Sequence, residues 1–550
     1  MMRKTFSLRF LWRFFPLALL WSAALSAQDV AAPLSEMALQ TPTVLAPVPE
    51  KYSDKNRMFQ GIPSLAVTND RNVWAVWYTG GTTECAENYI LVVRSRDGGA
   101  TWSEPIFAVD MEGPVRLYDP SMWQDPEGKL WVFWAQGWTW WDGRAGVWAM
   151  TSKNPNDDTP AWSEPFRICD GIMMGKPFVD SRGAWHLPVS IWNVPTSVGI
   201  PQGAFFPVEG RSGAKCWTSV DQGKTWRCSG SAFVPREIAV FDEHSIVEKK
   251  DGTFWALVRT KGIGEAFSSD GGVTWTECKP CENLRHTSAR FFLRRLASGN
   301  LILVKHGKPM EDCGRSRLTA YISRDDGATW EGGLLLDERN GVSYPDGDQT
   351  PDGTIFVVYD FGRTGAKEIL AARFSEEDIL AAKIISPHGA LRILVNKAHG
   401  SAPPPTPLKF TPNPNSDGAS PRTDDPRAAF RPSQSDELAT LENGVKLFLN
   451  RDYRAQNLPE FLQGKTFVRG NIDGIRASCT TSGTAFVYTP LPARNKHSAV
   501  ETLESQGWSK VALPEILLFG NVPGNIVTLY QKECHAGEMV EFSWWGVLIF

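Results

Sequence analysis

One octapeptide, written four times, constrains this chain more than anything else in it. SRDGGATW at 95–102, SVDQGKTW at 219–226, SSDGGVTW at 268–275 and SRDDGATW at 323–330 are copies of Ser-x-Asp-x-Gly-x-Thr-Trp. In such a stretch the Asp accepts backbone N–H bonds, the Gly takes the turn and the Trp packs beneath it, so each copy is a self-contained corner between two strands. A worn fifth copy ends at Ala161-Trp162, and the tryptophans of the five stand 60, 64, 49 and 55 residues apart. Between the copies run apolar strands split by short Gly or Asp turns, as in IPSLAV-TNDRN-VWAVWY, DPSMWQ-DPEGK-LWVFWA and EHSIVEK-KDG-TFWALVRT. These are antiparallel hairpins, and six of them can be marked along the chain. A period of about fifty residues with about four strands per unit predicts an all-β fold, a six-bladed β-propeller. The octapeptides are its frame, because every blade has the same corner to turn.

The rest of the chain divides around that body. Arg3, Lys4, Arg9 and Arg13 precede an apolar run from Phe14 to about Leu25 and small residues ending at Ala27. This pattern predicts a signal peptide over 1–27, cleaved near Ala27, and a secreted or periplasmic protein. No later stretch is apolar enough to span a membrane. Losing 1–27 removes four basic groups and no acidic one, which moves the net charge from −4 to −8. An acidic chain argues against nucleic acid as a partner. The propeller is expected over 45–398, a Pro-rich linker over 400–436, and a small β domain of unknown role over 437–550. Export allows disulfides among the nine cysteines, with Cys479 and Cys534 as one possible staple of the C-terminal unit. Cys278-x-x-Cys281 lacks a second Cys/His pair, so neither a metal nor a cofactor is expected.

Hairpin arithmetic then locates chemistry. Glu243 and Arg259 are equidistant from residue 251, in the Asp251-Gly252 turn; Tyr344 and Asp360 are equidistant from Asp352, in the Asp352-Gly353 turn. In unbulged hairpins each pair faces its partner at the end away from the turn. The first hairpin of a propeller blade lines the central channel, so these four groups converge on one mouth. A phenol is a poor nucleophile at neutral pH, but a neighbouring carboxylate can take its proton as it attacks.

The boxes, Glu243 followed sixteen residues later by Arg259, Arg315 upstream of the last box, and Gly341-Val-Ser-Tyr344 before PDGTIFVVYD together resemble the sialidase (neuraminidase) superfamily over about 57–375. That resemblance implies an exo-glycosidase acting by a retaining mechanism on a glycan or glycoconjugate that ends in sialic acid or a related acidic sugar. Tyr344 is then the nucleophile, Glu243 its base, and Arg259 and Arg315 hold the substrate carboxylate. Two departures stand out. Where the family has Phe-Arg-Ile-Pro, this chain reads Phe59-Gln60-Gly61-Ile62-Pro63, so Gly61 replaces the first clamp arginine, with Arg57 and Arg290 as possible substitutes. Asp360 matches the acidic residue that steadies that arginine. The first-blade loop GGTTECAENYI has no Asp, and Glu84, or else Glu87, is the candidate acid. Of the six tryptophans within 131–150, Trp138, Trp140 and Trp141 are candidates for stacking on sugars at the mouth, and Trp131, Trp134 and Trp148 for packing. The alternative reading is a non-catalytic glycan-binding or scaffolding propeller.

Overall fold

A computed structural model describes residues 36–401 and 428–550, apart from 70–71, 112, 139–140, 193–204, 434–435, 450–452, 456–457, 493–497, 513–515 and 518–525. The expected signal peptide, most of the Pro-rich stretch and Trp140 therefore lie outside the described residues. The fold is nearly all β. Among the described residues, six antiparallel sheets follow one another along the first four hundred. Their first hairpins begin with Gln60–Val67, Val115–Gln124, Phe178–Val179, Ala239–Glu248, Phe292–Arg295 and Val342–Gln349. Five sheets have four strands in sequence order, and the first gains a fifth, Thr43–Leu45, at its outer edge. Gln60–Val67 packs against Val115–Gln124 on one side and Val342–Gln349 on the other, so the first sheet touches both the second and the sixth. This is the sheet arrangement of a β-propeller.

The four octapeptides do the same work four times. In the first, Ser95 Oγ donates to Asp97 Oδ1 at 2.8 Å and accepts from Gly99 N at 2.8 Å. Asp97 then accepts from Thr101 N at 2.9 Å and from Thr101 Oγ1 at 2.6 Å. Ser219/Asp221/Thr225, Ser268/Asp270/Thr274 and Ser323/Asp325/Thr329 repeat this pattern. Each box also seals its sheet to the one before it. A Cβ on Gly327, which sits at φ +90°, would fall 2.4 Å from the Trp255 ring of the fourth sheet, and one on Gly99 would fall 2.9 Å from Phe356 of the sixth. The second contact joins the first sheet to the last and closes the series.

Hydrogen bonds to the ionised form set the box carboxylates low. Burial opposes the shift at Asp97, but the bonds from Thr101 and Ser95 outweigh it and hold the group at about 2. The Thr274 and Ser268 bonds bring Asp270 to about 2 as well. A depressed folded pKa stabilises the fold above the ordinary carboxylate range, near 4, and that contribution is lost as pH falls through about 2. Thermal melting is therefore expected to drop steadily between pH 4 and pH 2, and Asp270→Asn should melt lower at pH 7 with a shallower acid dependence. Equal slopes in wild type and variant would refute this account.

The described C-terminal residues form two sheets. One is Ala429–Pro432, Gly474–Thr481 and Met539–Ser543; the larger is built around Gly483–Pro490 and Ile526–Cys534. Phe430, Ile475 and Phe542 of the first share a core with Val487, Tyr530 and Leu548 of the second. The expected staple is not made: Cys479 and Cys534 are buried free thiols, and all nine cysteines are free. The Cys479 thiol donates to the Thr481 carbonyl instead. No helix among the described residues is long and apolar enough to cross a membrane.

Candidate functional site

The site is made by a defect repeated in the innermost strands. Each of four inner hairpins breaks register near its open end: between Gly61 and Ser64, Tyr118 and Ser121, Ala239 and His244, and Ser343 and Asp346. In each break one non-glycine residue takes a left-handed backbone: Ile62, Asp119, Asp242 and Tyr344, with φ between 46° and 56°. Such bulges re-aim side chains, and left-handed non-glycine residues persist only where the surrounding packing demands them. The unbulged pairings expected in both hairpins are therefore corrected: Tyr344 falls inside its bulge while Asp360 pairs with Ser343, and Glu243 falls inside the break between Ala239 and His244 and has no ladder pairing with Arg259.

Three of the four groups expected at the mouth, Glu243, Arg259 and Tyr344, nevertheless meet, and Arg315 stands beside them. Arg259 Nη1 donates both to Glu243 Oε1, at 2.8 Å, and to the Tyr344 hydroxyl, at 2.7 Å. Glu243, Arg259 and Tyr344 are each at most 5% exposed. The Arg259 guanidinium is fixed from behind by Ser288, whose carbonyl accepts from Nη2 at 3.0 Å and whose Oγ lies 3.4 Å from Nε. The same carbonyl lies 3.5 Å from Arg315 Nη2, and the Arg315 guanidinium carbon stands 5.2 Å from the Tyr344 ring centre. Burial raises the Tyr344 phenol above its ordinary value, Glu243 adds to this, and Arg259, Arg315 and Arg363 oppose it. The phenol is therefore protonated at rest.

The other candidates fall in different places. Arg57 does not reach the cluster: its guanidinium is buried and donates to Asn396 at 3.0 Å, with residues 54–57 clasped by the chain at 399–400. Arg290 lines one small cavity with Glu243 and Arg259, but its guanidinium is committed to Asp346, to which it donates at 2.9 Å. Asp360 is fully buried; one oxygen accepts from Ile62 N at 2.8 Å and from Arg363 Nε at 3.0 Å. Glu87 is exposed. Glu84 does join the cluster, but as an ionised group. It accepts from Arg363 Nη1 at 2.9 Å and faces Arg116 Nη2 at 3.7 Å. Burial works to raise its carboxyl, yet Arg116 and Arg363 outweigh that and hold it below its ordinary value. Trp138 and Trp141 are at most 3% exposed and present no free face for a sugar. Trp141 instead packs on Trp192, which packs on Phe241 beneath the Arg259 guanidinium.

Two residues at the mouth escaped sequence reasoning. Arg363, just past the strand Ile355–Phe361, lays its guanidinium over the Tyr344 ring with 4.3 Å from carbon to ring centre. Asp119, in the second-sheet bulge, is 4% exposed among Arg116, Glu84, Glu243 and Arg363. Burial, aided by the two glutamates and opposed by Arg116, pushes its carboxyl to about 8. The only signals in the sequence were an Arg three residues after a buried Asp and an Asp before a Pro inside a strand. Among the described residues no group of three or more His, Cys, Asp or Glu is placed to hold a metal ion.

A family model described as the BNR repeat-like domain matches residues 71–357. No curated protein matches the chain. Among solved structures, a Hadza microbial sialidase is 20% identical with a TM-score of 0.47, over 58% of this chain and 66% of that one, just under two thirds of its length. The intramolecular trans-sialidase from Ruminococcus gnavus is 14% identical with a TM-score of 0.46, over 61% and 98%. Trypanosoma rangeli sialidase is 14% identical with a TM-score of 0.43, over 92% of each chain.

Proposed function

The chain belongs to the BNR repeat-like domain family, and from that premise we propose that it is an exported glycoside hydrolase. It would release a terminal acidic sugar, sialic acid or a relative of it, with retention of configuration. The observation that carries this reading is the single guanidinium nitrogen of Arg259 that binds both Glu243 and the Tyr344 hydroxyl. It brings a protonated phenol and a buried carboxylate within reach of one another. A neutral nucleophile suits an anomeric carbon that bears a carboxylate, because an attacking carboxylate would be repelled by it. Arg259 and Arg315 are fork donors suited to that substrate carboxylate.

In the first half-reaction the Tyr344 oxygen bonds to the anomeric carbon as the glycosidic C–O bond breaks. The phenolic proton passes to Glu243. The leaving oxygen takes a proton from an acid, and this role falls to Asp119 rather than Glu84. Glu84 is ionised between two arginines, whereas Asp119 carries its proton at neutral pH. In the second half-reaction the Asp119 carboxylate takes a proton from water as the water oxygen displaces Tyr344, and Glu243 returns the phenolic proton.

Hydrolysis of a fluorogenic sialoside by residues 28–550, followed by a panel of uronic-acid glycosides, tests the reading. An acid must be protonated to act, so kcat/KM is expected to decline as pH rises through about 8. Asp119→Asn should be slow throughout and lack that limb, while Glu84→Gln should keep it. Failure of every acidic glycoside would replace this reading with a glycan-binding propeller that performs no chemistry.

A further inference from the structure

Gly61 stands where the resemblance calls for an arginine, yet the space above it is occupied. A Cβ built on Gly61 would meet Arg363 Cδ and Cγ at 2.8 Å and Nε at 3.0 Å, and these are its three nearest neighbours. Gly61 does not have a left-handed backbone, so a larger residue is excluded here by the Arg363 side chain rather than by strain. The loop that carries Arg363 is clasped to the first sheet beside that glycine. Gln60 N donates to the Arg363 carbonyl at 3.1 Å, and Gln60 Nε2 donates to the Lys367 carbonyl at 2.6 Å. Asp360 and Glu84 then aim the guanidinium by binding Nε and Nη1. Nη2 is left enclosed with no hydrogen-bond partner among the described residues. A buried guanidinium N–H without an acceptor is costly, and a ligand oxygen would relieve it.

We infer that Arg363 is the third arm of the carboxylate clamp, delivered from the neighbouring sixth sheet into the space Gly61 leaves open, so that Gly61 and Arg363 are one relocated unit. This rests on the reading of the mouth as a site for an acidic sugar. Arg259, Arg315 and Arg363 then all stand by the Tyr344 ring, with guanidinium carbons 5.9, 5.2 and 4.3 Å from its centre. Asp360, which matches the acidic residue that steadies the missing arginine, binds instead an arginine three residues further along its own chain segment.

The relocation can be undone on purpose. Calorimetric titration with free N-acetylneuraminic acid and with glucuronic acid, each beside its methyl ester, reads the clamp without requiring turnover. Arg363→Ala is expected to weaken binding of the acid about 10- to 100-fold, the scale of a lost charge-assisted hydrogen bond, and to leave the ester nearly unchanged. Gly61→Ala should do the same by displacing the side chain. The double variant G61R/R363A, which returns an arginine to the first sheet, should recover binding to within a few fold of wild type. Arg363→Lys, which keeps the charge without the fork, covers the case in which R363A loses its fold. Thermal melting gives a sugar-free check on the unit, because Gly61→Ala should lower Tm in wild type and not in the R363A background. R363A binding the acid as wild type does, or G61R/R363A failing to recover, overturns the inference and leaves the proposed function standing. Wild type that binds and cleaves no acidic sugar overturns the proposed function and this inference with it.

Discussion

Tyr344→Phe is expected to lower kcat on a fluorogenic sialoside by about 10⁴-fold or more, because groups that act as a unit with the nucleophile cannot replace it. The substitution removes one oxygen from a ring held by packing. Tyr344 is 5% exposed within the core that includes Trp141, Ile172 and Trp192, so the fold should survive it. Arg259 loses one acceptor and keeps Glu243 and the Ser288 carbonyl, so the binding arms stay in place. The expected signature is therefore a collapse of kcat with a nearly unchanged affinity for the acidic sugar. Glu243→Gln should cost less, about 10²- to 10⁴-fold, the range for loss of a general base. A Phe variant that retains a tenth of the wild-type rate would remove Tyr344 from the chemistry.

How much of this was legible beforehand depends on how local each feature is. The box corners were readable because one octapeptide contains donor, acceptor, turn and packing residue together, and the four copies close in the same way. The meeting of Glu243 with Arg259 was readable in part: one short turn puts both near the open end of their hairpin, but a bulge at Glu243, not direct pairing, brings the side chains together. The bulges were not. Ile62, Asp119, Asp242 and Tyr344 share a left-handed backbone although only two of them share a residue type, so no sequence pattern announces it. The setting of Glu84 was hidden for the same reason. Glu84 looked suitable from its loop, but Arg116 and Arg363 arrive from the second and sixth sheets and hold it ionised. Arg363 itself lies about three hundred residues from the glycine it covers, a relation that no local pattern encodes. The tryptophans misled through composition, since aromatic faces that suit sugars also suit sheet packing.

The buried floor beneath the site was also invisible in sequence, and Asp346 is its hinge. Lys176 Nζ lies 2.7 Å from Asp346 Oδ2 and Arg290 Nη2 lies 2.9 Å from Oδ1, all in the channel and at most 6% exposed. Ser64 Oγ and Leu65 N donate to the same carboxylate, and Lys176 also reaches the Leu65 and Met122 carbonyls. Strands from the first, second and sixth sheets are thus tied through one side chain to the chain entering the third and fifth. Asp346→Asn is expected to cost about 3–5 kcal/mol of unfolding free energy, because it strands two buried cations rather than deleting a pair. Adding Lys176→Met should return part of that loss, while Lys176→Met alone should cost less than Asp346→Asn, since Arg290 still neutralises the carboxylate. A double variant that loses the sum of the two single losses would mean the residues pack independently rather than pinning one another electrostatically. The effect should reach the mouth as well. Arg290 ends the segment whose Ser288 carbonyl orients Arg259 and Arg315, so an Arg290 freed from Asp346 releases that strap. Asp346→Asn assayed well below its melting temperature is therefore expected to raise KM for an acidic glycoside more than it lowers kcat, with Tyr344 and Glu243 still in place.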